Sequence, residues 1–321
     1  MAQAPFTITP ALVAIALDYS AINSRVRGYI ADPVAPRMRV DAPLFRYPQY
    51  KIEEAFTVYD NQVDRLGRLN EIVESATEVA GATLDYGLLE KVPYRDEAAA
   101  RAASIPFNLK ARAVRNVIDK NQLAREIRVA GMVQNSANYT AGYSTTVGAT
   151  KWSDPNVDIP ALVMDARASM LVPGNIGVTS QAGMNVLRRH PKISVALGGS
   201  ADSGRYATNE EVASVLGLER IVVGNTLRQS SKRGQTLTTS AIWGNFFAIH
   251  YQGPQGIDGG AIDAASPSFL TTFQFGDVVS GENPYRPGEM GLWGGVGVLT
   301  GESLVEKVVA PFAGYLFSSI L

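Results

Sequence analysis

The stretch that decides the fold starts with LDYGLLEKVP at residues 84–93 and continues to Tyr139. Its first ten residues combine apolar and β-forming side chains and end in proline, which is typical of a strand. A helix-forming run, residues 106–135, follows and ends in a region rich in Gly, Thr and Ser. About thirty helical residues would extend ~45 Å, longer than a typical helix of a globular protein. Such a helix suits a subunit that packs against copies of itself better than a single enzyme domain.

The predicted helix has an apolar stripe and a basic surface. Apolar or small residues recur at spacings of three, four and seven, at Val114, Val117, Ile118, Ala124, Ile127 and Gly131. This spacing places them on one face of a helix. Residues 95–128 contain eight basic and four acidic residues, so the rest of the surface carries a local excess of positive charge.

The segment before the strand has the opposite charge. Residues 51–90 contain nine acidic and three basic residues. Strand-forming residues flank a polar centre that contains Gly67, as expected for the tip of a loop. The apolar content is too low for a separate core. We therefore predict a projecting acidic hairpin over residues 50–90.

The first 40 or so residues are predicted to form an arm. A short helix is favoured at 11–17, and Pro33, Pro36 and Pro43 then keep the chain extended. Such an arm has little core of its own. It must therefore lie either on its own subunit or on a neighbour.

Downstream of Tyr139 the pattern changes to alternating helices and strands. Asp158 is placed to cap a helix over 159–170, and Gly217 to end a helix over 209–216. Another helix is predicted over 180–189, and strands over 175–179, 219–224, 240–251 and, closing the chain, within 304–321. No internal repeat is present.

The composition excludes several classes of protein. The 321 residues are 46% hydrophobic, enough for a large core, and their formal net charge of −1 gives no global signal for nucleic acid. The absence of cysteine excludes disulfides, thiolate nucleophiles and cysteine-ligated zinc. The N-terminus lacks a secretory signal pattern, and no apolar run approaches the ~18 residues of a membrane span. We therefore expect a soluble cytoplasmic product.

A search for catalytic or ligand-binding motifs finds none. The sequence lacks a phosphate-binding loop, an H-E-x-x-H zinc motif, a G-x-S-x-G nucleophile motif and a calcium-binding loop. Its two histidines are interpreted structurally, because His190 ends a predicted helix and His250 lies in an aromatic strand. Trp152 is interpreted as a core residue, and Asp154 and Asp158 as turn and capping residues. No catalytic residue, cofactor or metal site is predicted.

The order of these parts resembles the major capsid proteins of tailed double-stranded DNA bacteriophages, which have the Hong Kong 97 (Johnson) fold. DYGL at 85–88 followed by VPYRDE at 92–97 resembles the family's strand leading into its spine helix. Arg125-Glu126 resembles its recurrent Arg-Glu pair, and KWSDP at 151–155 resembles its Trp-Ser-Asp segment. The strands and helices over 176–193, with the His190-Pro191 turn, and over 212–224 resemble the elements that follow. The motifs that match the family lie in the family's order over residues 85–250, so the resemblance is strongest there.

This resemblance implies an α+β fold of the Hong Kong 97 type. Its parts would be an N-terminal arm at 1–45, an E-loop hairpin at 46–90, a P-domain with the spine helix at 91–172, an A-domain at 173–290, and closing strands at 291–321 that return to the P-domain. The E-loop tip would lie near Arg65 and Arg68. Because the tip carries no lysine and Lys51 lies at the loop base, no crosslink through an E-loop lysine is expected. The chain starts almost directly with the arm, so any scaffold would be a separate protein.

The resemblance further implies a structural protein and not an enzyme. The chain would self-assemble into hexamers and pentamers of an icosahedral phage head that encloses double-stranded DNA. Its expected location is the virion, with assembly in the cytoplasm of the host bacterium. Expected partners are copies of the chain, a separate scaffolding protein, a portal, a decoration protein and packaged DNA contacted weakly; no membrane partner is expected.

The acidic hairpin and the basic helix are complementary surfaces. We hypothesise that the hairpin of one subunit crosses the helix of the next, with charge setting the orientation and apolar contact the strength. The candidate contact residues are Arg65, Arg68, Glu71, Glu74, Arg112, Arg115 and Arg125. The alternatives left open are an encapsulin-type nanocompartment shell, a soluble α/β enzyme and a trimeric surface adhesin.

Overall fold

A computed structural model describes residues 7–8, 27–50, 56–59, 61–63, 76–102, 108–200, 205–232, 234–253 and 268–321. Within these ranges the strands are β1 (Thr7–Ile8), β2 (Arg37–Val40), β3 (Leu44–Tyr50), β4 (Ala76–Ala82), β5 (Leu84–Pro93), β6 (Ser144–Thr146), β7 (Ile176–Ser180), β8 (Arg220–Gly224), β9 (Leu227–Gln229), β10 (Thr239–Ala241), β11 (Phe246–His250), β12 (Leu270–Tyr285), β13 (Gly295–Val308) and β14 (Gly314–Ser318). The helices are α1 (Ala31–Val34), α2 (Tyr94–Ala102), α3 (Leu109–Val133), α4 (Ile159–Ser169), α5 (Gln181–Arg189), α6 (Pro191–Ala196) and α7 (Asn209–Val215).

The first sheet is built around the long antiparallel pair β12 and β13. Its strand order is β1-β12-β13-β5, and β2 pairs in parallel with β12. Strand β5 has the bounds that the sequence predicts and pairs with β13 along its whole length. The projecting hairpin therefore ends before Leu84, because residues 84–90 belong to this sheet. The hairpin consists of β3 and β4, which pair only with each other among the described strands.

Helix α3 lies on this sheet and is the long helix expected from the sequence. It has 25 residues, so its length is about 37 Å, somewhat shorter than predicted. Asn108 caps its first turn by accepting a hydrogen bond from the backbone N–H of Ala111. Because the capping residue has an extended backbone, the helix cannot include the residues before it.

The buried face of α3 differs from the predicted stripe. The prediction is confirmed at Val114, Val117 and Ile118, which are buried. It is wrong at Ala124 and Gly131, which are exposed. In that part of the helix, two charged residues, Arg125 and Glu126, occupy the buried face.

The second sheet has the order β6-β14-β11-β7-β8 and carries helices α4–α7. Trp152 is 1% exposed and packs against Phe247 and Phe317, so its interpretation as a core residue is confirmed. The predicted helix ends are also confirmed: the Asp158 side chain accepts from the Ala161 N–H, and Gly217 has a φ of +69° beyond α7.

The strand predicted over 240–251 is two strands. β11 belongs to the second sheet, whereas β10 pairs with β9 in a separate two-stranded ribbon. The break falls at residues 242–245, where Gln134, the residue that follows α3, binds the backbone of Ile242 and Gly244. These hydrogen bonds turn the chain away from continuous pairing.

The described base of the arm lies on its own subunit. Ile30, Ala31, Val34 and Ala35 are buried in a core that also contains the C-terminal half of α3 and residues of both sheets. Strand β2 then joins β12. The sequence left open whether the arm lies on its own subunit or on a neighbour. For residues 27–40 the structure shows that it lies on its own subunit.

None of the helices in the described ranges is both long enough and apolar enough to span a lipid bilayer.

Candidate subunit-contact surfaces and arm anchor

Glu126 is a carboxylate enclosed by hydrogen-bond donors. It is 0% exposed. One oxygen accepts from the backbone N–H of Ile30 at 2.8 Å and from the indole N–H of Trp243 at 2.6 Å. The other accepts from the backbone N–H of Ala31 at 2.9 Å. The carboxylate therefore satisfies the N–H groups of the first residue of α1 and of the residue before it, which would otherwise be buried without partners.

The neighbouring Arg125 holds the other end of the same arm segment. Its guanidinium pairs with Asp32, donates to the carbonyl of Ala35 at 3.3 Å and donates to Thr272 Oγ1 at 3.1 Å. It is 3% exposed. We call Arg125 and Glu126 together the arm clamp, because both bind residues 30–35.

The clamp and its surroundings shift the pKa of two carboxyl groups in opposite directions. Burial raises the pKa of Glu126 above its ordinary value, although its donors and Arg125 act against this. Burial would also raise the pKa of Asp32, but the positive charges of Arg125 and Arg37 outweigh it and lower that pKa to about 2. Asp32 therefore stays ionised, and the arm base is fixed by charge as well as by apolar contact.

A second buried polar network lies beside the end of α3. The Tyr139 hydroxyl donates to the carbonyl of Val133 at 2.7 Å. Since that hydroxyl has one hydrogen, the 2.9 Å contact with His250 requires His250 Nε2–H to donate to it. Burial lowers the pKa of His250 to about 3, so the ring is neutral. Its structural interpretation is confirmed.

His190 is likewise a structural residue. It is 3% exposed and lies between α5 and α6, where its Nδ1 accepts from the backbone N–H of Lys192. Its Nε2 lies 3.0 Å from the carbonyl of Asp154 and donates to it. In the described part of the chain, no group of three or more His, Asp or Glu side chains is arranged to hold a metal ion.

The predicted contact residues fall into three groups. Arg112 and Arg115 are exposed on α3. Arg125 is buried in the arm clamp of its own subunit and does not belong to the exposed surface. The other four, Arg65, Arg68, Glu71 and Glu74, lie outside the described residues.

The hairpin base and α3 lie on opposite faces of the first sheet. Phe45 and Tyr47 of β3 pack against the ring of Phe273, with ring centroids 4.7 and 5.2 Å away. The adjacent residue, Thr272, binds Arg125 of α3. Because successive side chains of a strand point to opposite faces, the hairpin base is separated from α3 by the sheet.

An exposed apolar pair that the sequence analysis missed lies at the turn between β12 and β13. Leu292 is 80% exposed and Trp293 is 67% exposed. The turn is fixed by Gly294, with a φ of +74°, where a Cβ would lie 2.6 Å from the carbonyl oxygen of Tyr285. The sequence holds no signal for this exposure, because Trp243 likewise lies beside a glycine between two strands and is only 1% exposed. We call Leu292 and Trp293 the apolar tip.

No family model matches the sequence. Over 320 residues, covering 99% of both chains, it is 34% identical to the major capsid protein of Pseudomonas phage JBD67. The chain belongs to the phage major capsid protein family. The fold is shared with a phage-related protein from Bordetella bronchiseptica RB50, which has a TM-score of 0.71 and 20% identity over 99% of each chain.

A second solved structure, the capsid of cyanophage P-SCSP1u, has a TM-score of 0.57 and 11% identity to this capsid protein. The match covers 89% of this chain and 86% of that one. The mixed helix and sheet architecture of the Hong Kong 97 type is therefore confirmed. The family relationship also confirms a structural capsid protein and overturns the enzyme alternative. The candidate functional features of this capsid protein are therefore its contact surfaces, namely the apolar tip and the exposed side of α3, and the arm clamp.

Proposed function

We propose that this capsid protein self-assembles into hexamers and pentamers of an icosahedral head that encloses double-stranded DNA. The observation that carries this proposal is the apolar tip, in a chain that matches a phage major capsid protein along its whole length. An exposed tryptophan on a preorganised turn favours burial against another molecule, and the partner available to every subunit of a shell is another copy.

The second contact we propose joins the acidic hairpin of one subunit to α3 of the next. Residues 51–90 carry a net charge of −6, from nine acidic and three basic residues, whereas Arg112 and Arg115 lie exposed on α3. In one subunit the hairpin base lies across the sheet from α3, which favours pairing between subunits over pairing within one. Complementary charge then sets the orientation of the approaching subunits.

The division of the chain inferred from the sequence remains part of this proposal. It comprises the arm at 1–45, the E-loop at 46–90, the P-domain at 91–172, the A-domain at 173–290 and the closing strands at 291–321. A separate scaffolding protein, a portal and a decoration protein are proposed as partners, with assembly in the host cytoplasm. Packaged DNA is proposed to be contacted weakly, in keeping with a net charge of −1.

Electron microscopy and sedimentation of the purified recombinant protein test the proposal. We expect closed shells or ring-shaped capsomers in negative stain and a sedimenting species far heavier than the 34.4 kDa chain. A protein that remains monomeric at all concentrations would contradict self-assembly. Shells that form but enclose a cargo protein instead of DNA in the native host would favour the nanocompartment alternative.

A further inference from the structure

The β9–β10 ribbon, defined as residues 227–241, lies in a part of the chain that lacks acidic residues. No Asp or Glu occurs from Arg220 to Ile257. Of the thirteen residues from 228 to 240, three are basic and eight are Ser, Thr or Gln. A protein with a net charge near zero therefore concentrates positive charge and neutral hydrogen-bonding groups in one element.

The root of the ribbon is fixed to the body of the subunit. Thr226 Oγ1 donates to the carbonyl of Gly28 at 3.0 Å, which joins the ribbon to the arm base. Gln134, directly after α3, donates to the carbonyl of Ile242 at 3.1 Å and accepts from the N–H of Gly244 at 3.0 Å. These contacts hold both strands of the ribbon where they leave the core.

The outer part of the ribbon is ordered by its own hydroxyl groups. Ser230 donates to the carbonyl of Thr238 through its backbone N–H at 2.9 Å and its hydroxyl at 3.1 Å. The N–H of Thr238 donates to Ser231 Oγ at 3.2 Å. Arg228 and Lys232 are exposed, and no carboxylate of the described residues forms an ion pair with either.

We propose that this ribbon is a contact surface for the phosphate backbone of the packaged double-stranded DNA. The inference rests on the proposed function and adds to it the element of the subunit that meets the DNA. Arginine, lysine, serine, threonine and glutamine are the side chains that contact phosphates in protein–DNA complexes. A two-stranded ribbon also has the width that the major groove admits.

The small number of basic residues on the ribbon fits a weak contact with packaged DNA. One ribbon neutralises few phosphates, so a single contact is weak and readily broken by salt. A shell repeats the contact in every subunit, and many weak contacts hold a long polymer without fixing any one segment of it. The ribbon would then lie on the shell face that encloses the DNA.

The test compares DNA binding by unassembled subunits with two matched charge reversals. The ribbon variant combines Arg228→Glu with Lys232→Glu. The control variant combines Arg189→Glu with Lys192→Glu, two exposed residues on α5 and α6. Binding of a short fluorescently labelled duplex is measured by anisotropy across a range of salt concentrations, and shell assembly is measured in parallel by sedimentation.

We expect the ribbon variant to bind the duplex at least about tenfold more weakly at low salt. The slope of log affinity against log salt should become less steep by about 2, one for each lost phosphate contact. The control should bind like the native protein, and both variants should assemble. Pre-assembled native shells should bind less added duplex than the same mass of unassembled subunits.

Two results would overturn the inference. Unchanged DNA binding by the ribbon variant would show that the ribbon does not meet the phosphate backbone. A loss of assembly with DNA binding retained would assign the ribbon, with its exposed Leu227 and Leu237, to contact between copies of the chain. Failure of the native protein to form shells would contradict the proposed function, independently of how its unassembled subunits bind DNA.

Discussion

At the scale of single residues, Glu126 places a buried carboxylate among three hydrogen-bond donors. An amide at this position would turn its NH₂ group toward one of these donors. We expect Glu126→Gln to lower the free energy of unfolding by about 1–3 kcal/mol. It should also increase proteolytic cleavage of residues 27–35, because the base of the arm loses its anchor. Denaturant unfolding and limited proteolysis measure the two effects.

The matched control for this change is Glu210→Gln, on the exposed surface of α7. Its effect on unfolding should stay within about 0.5 kcal/mol, as is usual for a surface substitution. Equal stability of the two variants would show that the hydrogen bonds of Glu126 contribute nothing to folding.

The buried, neutral His250 should make the stability of the subunit depend on pH. Its pKa is about 3 in the folded protein and 6.5 in an ordinary environment. Between these values the unfolded chain binds a proton that the folded chain does not, so the free energy of unfolding should fall as the pH is lowered from about 6.5. Labelling the two histidines with ¹⁵N makes the ring observable by NMR. The unassembled subunit should retain the neutral Nε2–H tautomer of His250 down to about pH 5, and a folded-state titration near 6.5 would contradict this.

At the scale of elements, the turn between β12 and β13 exposes the apolar tip, which is not buried in the core of its own subunit. We expect Trp293→Ala to leave the thermal unfolding temperature of the unassembled subunit nearly unchanged, because the side chain is exposed. The same change should reduce shell yield at least about tenfold, because a central aromatic residue contributes much of the binding energy of an interface. Trp293→Phe should restore most of the yield, since it keeps an aromatic ring. Full assembly of the alanine variant would show that the apolar tip is not a contact between subunits.

Helix α3 supports a prediction about charge. Reversing Arg112 and Arg115 to glutamate should impair assembly much more than folding, because both side chains are exposed on the subunit. The impairment should be greatest at low salt, where the acidic hairpin of the neighbouring subunit repels the new charges most strongly. Normal assembly of the double variant at low and high salt would contradict the proposed contact. Circular dichroism of the unassembled variant checks its fold.

At the scale of the whole molecule, assembly should stabilise the subunit. A contact formed only by folded copies shifts the folding equilibrium, so thermal stability becomes dependent on protein concentration. We expect shells to unfold at a higher temperature than unassembled subunits in the same buffer. Calorimetry at two protein concentrations measures this. Identical transitions at both concentrations and in both states would indicate that the contacts between subunits are negligible.

Local signals allowed the sequence to predict β5, the caps at Asp158 and Gly217, and the core role of Trp152. Each depends on a residue type whose preference acts over a few neighbours. The burial of Arg125 and Glu126 could not be predicted in this way, because two charged residues on a helix are ordinarily placed in solvent. Their burial depends on the arm, which lies about ninety residues earlier in the chain and supplies the backbone N–H groups and Asp32.

The sequence by itself determined that strand β5 leads to one long helix, that charge is segregated between residues 51–90 and 95–128, and that the catalytic motifs sought are absent. Only the tertiary structure decided which charges remain at the surface. It buried Arg125 in the arm clamp, left Arg112 and Arg115 exposed, and placed the hairpin base across the sheet from α3. The physical reason is that periodicity and charge act along the chain, whereas burial depends on the distant segment that packs against each residue.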